Sequence, residues 1–71
     1  MTRADNRPLQ QRIRRYMARN ITDVVDLDTG EVSATELVEY TVWYSGLIDD
    51  ECLDDPDHWI WDLAVQVIER I

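Results

Sequence analysis

Residues 48–62, IDDECLDDPDHWIWD, place one thiol, one imidazole and seven carboxylates within fifteen positions. Thiolate, imidazole and carboxylate are the ligand types of a zinc-like centre, which would draw on Cys52, Asp54, Asp57 and His58. A cysteine near a histidine is also the raw material of nucleophilic catalysis. Neither pattern is completed. The chain has one Cys, one His and no C-x-x-C pair. A Cys–His pair six positions apart would still need an orienting group, oxyanion donors and a pocket. The sequence therefore predicts no metal, no cofactor and no catalytic residue; the protein is read as not an enzyme, and Cys52 as a small buried hydrophobe. DLDTGE, residues 26–31, opens like a calcium loop, but glycine arrives fifth rather than sixth and Leu37 stands where the twelfth-position glutamate belongs. It reads as a polar turn.

Chemistry of binding is better served. Asp54, Asp55 and Asp57 surround an expected helix start, where negative charge is favourable. Asp49, Asp50 and Glu51 follow the expected end of the preceding helix, where it is not. These three read as a short helical turn, as solvated loop acids, or as a surface for a partner. Carboxylates on a rigid surface compete for the arginines and lysines that hold nucleic acid and steer association. The candidate protein-binding surface is accordingly Asp49, Asp50, Glu51, Asp54 and Asp57, with Glu36, Glu39, Tyr40 and Trp43. The alternative is a small dimeric regulator that reads DNA or RNA phosphates with Arg12, Arg15 and Arg19. A third reading is a subunit of a larger assembly.

The net charge of −8 is unevenly spread. Residues 1–20 hold six arginines against one aspartate, while residues 21–71 hold fourteen acids against Arg70. The acidic body would repel a polyanion, so a protein partner is favoured over direct nucleic acid; pairing of the arginines with the chain's own acids is the plainer alternative. One cysteine, no apolar run near 18 residues and no secretory leader predict a soluble, cytoplasmic protein without membrane contact.

A single mostly helical domain must position these residues: 71 residues bury only about 60% of the unfolded surface, so the core is small. Residues 1–6 are expected to be a flexible N-terminus. A basic amphipathic helix over 7–19 puts Leu9, Ile13, Tyr16 and Met17 on one face, with Asn6 as cap, Pro8 in the first turn and Asn20 as a left-handed stop. VVDLDTGEV, residues 24–32, predicts a short β-hairpin or turn closed by Gly30. Ser33 and Glu36 compose a capping box opening a helix over 34–45. Leu37, Val38, Thr41 and Tyr44 form one stripe of that helix, Tyr40, Trp43 and Leu47 a second, and Gly46 ends it. The last helix, over 56–71, starts from an Asp55 cap with Pro56 in its first position. Its apolar residues Ile60, Trp61, Leu63, Ala64, Val65, Val67, Ile68 and Ile71 sweep about 200°. A face that wide predicts either centrality or a homodimer through this third helix.

TGEVSATELVE, residues 29–39, resembles a turn-then-helix pattern of many small phage and bacterial proteins. In size, acidity and single-domain build the whole chain resembles phage-encoded inhibitors of the anti-CRISPR and anti-restriction type. The resemblance implies a non-enzymatic inhibitor of a nucleic-acid-handling host complex, working in the host cytoplasm through an acidic, nucleic-acid-mimicking surface. It rests on size and charge, so no site residue follows from it.

Overall fold

The computed structural model describes residues 6–70. Most of the expected N-terminal segment and Ile71 lie outside them. Three helices follow in order, α1 Arg7–Asn20, α2 Ala34–Tyr44 and α3 Trp59–Glu69, with 3-10 turns at Ile21–Asp23 and Asp50–Asp54. The domain is mostly α, as its periodicity predicts.

Each helix contributes one stripe to a single core. Ile13 and Met17 come from α1, Leu37, Val38, Thr41 and Val42 from α2, and Ile60, Leu63, Ala64 and Val67 from α3, with Ile21 and Cys52 closing the ends. The i, i+3, i+4, i+7 spacing of the α3 set is what turns one face of a helix inward. Thr41, fully buried, satisfies its hydroxyl by donating to the Leu37 carbonyl at 2.8 Å. On α2 the buried stripe carries Val42 where the sequence suggests Tyr44, which is exposed. Much of the wide α3 face is used within the fold: Trp59, Trp61 and Ile68 pack half-buried against the core, and Val65 remains as its exposed large apolar residue.

The expected hairpin over 24–32 is absent; no strand forms among the described residues. The amides that a ladder would use are taken locally. Asp26 Oδ1 accepts from the Asp28 amide at 2.9 Å, and Thr29 Oγ1 accepts from Glu31 at 3.2 Å. Side chains of this kind compete with secondary structure for backbone donors. What survives is a turn in which Gly30 N–H donates to the Asp26 carbonyl at 2.7 Å and Asp26 N–H to the Glu31 carbonyl at 2.9 Å. Gly30 sits at φ 75°, where a glycine is favoured.

Helix ends differ from expectation in four places. Ser33 occupies the N-cap of α2, but its side chain makes no cap bond, so the capping box does not form. Asn6 likewise makes no side-chain cap bond; its Oδ1 accepts instead from Gln10 Nε2 at 3.0 Å. Asn20 is not left-handed: its Nδ2 donates to the Tyr16 carbonyl at 2.9 Å, and the chain tightens directly into the 3-10 turn. Most consequentially, Asp55 does not cap α3, which begins at Trp59 instead of residue 56. Pro56 suits the second position of a reverse turn as well as the first turn of a helix. Here the turn wins, with His58 N–H donating to the Asp55 carbonyl at 3.1 Å and Asp57 N–H to Asp55 Oδ1 at 3.1 Å. His58 is then extended, at ψ 142°, and caps α3 through Nδ1, which accepts from the Ile60 amide at 3.1 Å. Gly46, at φ 69°, ends α2 as its position predicts.

Candidate functional site

The α2 carboxylates do not face the solvent alone. Glu36 and Glu39 join Asp23 and Asp26 around a groove of about 420 Å³, with Tyr40, Trp43 and Tyr44 along α2 and Val24 and Val25 opposite. The segment from the 3-10 turn through Asp26 forms one wall and α2 forms the other. Trp43 and Tyr44 are 62% and 69% exposed. Exposed apolar side chains gathered at one place mark a contact surface more than scattered ones do.

The wall is held by Tyr40, whose hydroxyl donates to Asp23 Oδ2 at 3.1 Å. Its ring packs on Tyr44 at 4.9 Å and on Tyr16 of α1 at 6.2 Å. Burial of the phenol, then the Asp23 hydrogen bond and charge, with Tyr16 and Tyr44 contributing last, push Tyr40 above the ordinary value of 10.0. A raised phenol means the fold favours the protonated ring. That contribution is present in full below pH 10.0 and is lost as pH rises through the folded-state value. Asp23→Asn should shift the Tyr40 phenolate absorbance transition to lower pH; an unmoved transition would show that Asp23 does not hold the ring.

The acids of the opening stretch occupy a different element. Asp50 and Glu51 begin the 3-10 turn Asp50–Asp54, and Asp49 precedes it. Asp49, Glu51 and Asp55 line a smaller depression of about 230 Å³ with Ile48, Cys52 and His58. Asp50, Asp54 and Asp57 are exposed. Three hydrogen bonds fix this loop. The Cys52 thiol donates to the Asp49 carbonyl at 3.3 Å, and Trp61 Nε1–H donates to both the Cys52 carbonyl at 3.1 Å and the Asp55 carbonyl at 2.8 Å. Burial, reinforced by the Asp50, Asp49 and Asp55 carboxylates, raises the Cys52 thiol above 9.0, although a backbone hydrogen bond lowers it. Cys52 and His58 thus serve the backbone, and among the described residues no three His, Cys, Asp or Glu side chains are grouped to hold a metal ion.

The nine protein-binding candidates therefore fall in two places: Glu36, Glu39, Tyr40 and Trp43 line the groove, and the acids between positions 49 and 57 lie on the pinned loop. Asp23, Asp26 and Tyr44 of the groove were not singled out by spacing. The phenol that closes the stripe Leu37, Val38, Thr41 and Tyr44 is the one signal the sequence offers for Tyr44.

Arg12, Arg15 and Arg19 line a third depression, of about 280 Å³, with Tyr16 and Leu47. Among the described residues these three form no salt bridge, so their expected pairing with the chain's own acids is not seen. Arg14 turns toward α3 instead, where Nη2 donates to Gln66 Oε1 at 3.1 Å.

No protein-family model, curated protein or solved structure matches this chain. Among the described residues no helix is long and apolar enough to cross a membrane.

Proposed function

We propose that this chain acts by binding and that its ligand is an arginine- or lysine-bearing segment of a protein that handles nucleic acid, whose phosphate-binding cations it occupies. The observation that carries the reading is the groove. Four carboxylates surround three aromatic rings, a combination that attracts a cation at long range and packs its flat or aliphatic part at short range. The pinned acidic loop adds negative potential that speeds encounter. Inhibition follows from occupancy: a cation held by Glu36 or Glu39 is withdrawn from phosphate.

The test is a titration of the full chain with an arginine-rich peptide, followed by calorimetry. Glu36→Gln with Glu39→Gln and Trp43→Ala should weaken binding by at least about tenfold, the scale of one or two lost charge-assisted or ring contacts. None of the three positions is buried, and such positions change little in stability, so the melting temperature should hold. Equal binding by the variant would remove the groove from the function. Arg12, Arg15 and Arg19, without a salt bridge among the described residues, favour a second reading, direct phosphate binding. It requires a mobility shift of duplex DNA that collapses as salt rises, and no shift at low salt would dismiss it.

A further inference from the structure

The basic and acidic surfaces meet along one aromatic seam. Tyr16 lines the arginine depression on α1, packs on Tyr40, and Tyr40 packs on Tyr44 inside the acidic groove. Across those rings the surface changes from arginines to carboxylates. Neither half is neutralised among the described residues: Arg12, Arg15 and Arg19 have no salt bridge there, and neither do Asp26, Glu36 and Glu39. A face with positive charge on one side of an apolar centre and negative charge on the other is complementary to itself after a half-turn. A two-fold interface requires this property, since every contact is then made twice.

We propose that a second copy of this chain docks on this face. Arg12, Arg15 and Arg19 of each copy enter the groove of the other beside Asp26, Glu36 and Glu39, and the Tyr16–Tyr40 pair lies near the axis. Charge chooses this occupant. A chain of net charge −8 repels its own copy in most orientations. Placing the arginine-rich helix of each against the other's acids converts that repulsion into two sets of attractions. A standard interface takes about 800 Å² from each partner. That is roughly one seventh of the 5379 Å² surface, a share that the outer faces of two helices can supply. The pair closes as a dimer because both complementary halves are consumed. Since the groove is shared, a foreign basic segment has to displace the second copy. The dimer itself rests on the groove's geometry and on no foreign partner.

The experiment is sedimentation velocity on the full chain at about 50 mM and about 500 mM salt, where screening shortens from roughly 13 Å to roughly 4 Å. Wild type should sediment as a dimer at low salt, with dissociation rising at least about tenfold at high salt. Two charge-reversed chains, Arg12→Glu with Arg15→Glu and Arg19→Glu, and Asp26→Arg with Glu36→Arg and Glu39→Arg, should each be monomeric. Mixed in equal amounts they should form a one-to-one heterodimer, because each then offers the charge the other lost. Circular dichroism checks that both chains fold; should either fail, Arg15→Gln and Glu36→Gln singly must each weaken the wild-type dimer. A monomeric wild type at low salt, open-ended polymers, or a dimer indifferent to these changes would overturn the inference. A monomer that still binds the arginine-rich peptide would overturn the dimer and leave the proposed function standing. A dimer that, diluted to monomer, ignores the peptide would do the reverse.

Discussion

Ile60→Ala is expected to unfold most of the population at room temperature. Ile60 is fully buried in the first turn of α3 and is among the largest completely enclosed side chains of the domain. Replacing such a residue by alanine removes its transfer free energy and leaves a cavity, together about 2–5 kcal/mol. A chain of this size seldom carries more than about 3–5 kcal/mol of net stability. The loss is therefore comparable to the whole. Val65→Ala, on the same helix but 42% exposed, should leave the melt within a few degrees of wild type. Thermal unfolding followed by far-ultraviolet circular dichroism compares the two. An Ile60→Ala chain that melts like wild type would mean α3 is not packed as described.

Trp61→Phe is expected to cost about 1–3 kcal/mol and to loosen the acidic loop more than the helices. The indole N–H bridges two carbonyls, those of Cys52 and Asp55, and phenylalanine keeps an aromatic ring while removing the donor. Each carbonyl keeps one backbone donor, Asp55 N–H on Cys52 and His58 N–H on Asp55, so no acceptor is stranded and the loss stays moderate. For a domain of this length that is a drop of roughly 4–20 °C in Tm. Amide exchange should accelerate at residues 50–57 before it does in α1 or α2. Uniform acceleration across the chain would show that the indole supports the core and not the loop.

The helices were legible because their signals are redundant. Ile13 and Met17, or Ile60, Leu63, Ala64 and Val67, repeat at a spacing that no strand can bury on one side. Gly46 marks a stop that other residues reach only under strain. The errors fell where one short motif serves two structures. Asp55–Pro56–Asp57 fits a helix start or a reverse turn, and in the fold the Trp61 indole bonds the Asp55 carbonyl of that turn, a contact that spacing within the motif does not encode. The valines of 24–32 favour a strand, but Asp26 and Thr29 capture the amides first. For the candidate site, half was readable: Glu36, Glu39, Tyr40 and Trp43 share one helix, so periodicity alone gathers them. Asp23 and Asp26 reach them only because a turn folds back on α2 and Tyr40 bonds to Asp23, a contact across seventeen positions.

The size of the core has a consequence for how such a protein changes over generations. Among the described residues, eleven apolar side chains and Thr41 make up the buried set. Among the described residues every charged position lies outside it, so acids and arginines can be gained, lost or exchanged at small cost to folding. A dozen buried positions hold the fold, and the surface outside them is free to be rewritten without unfolding it.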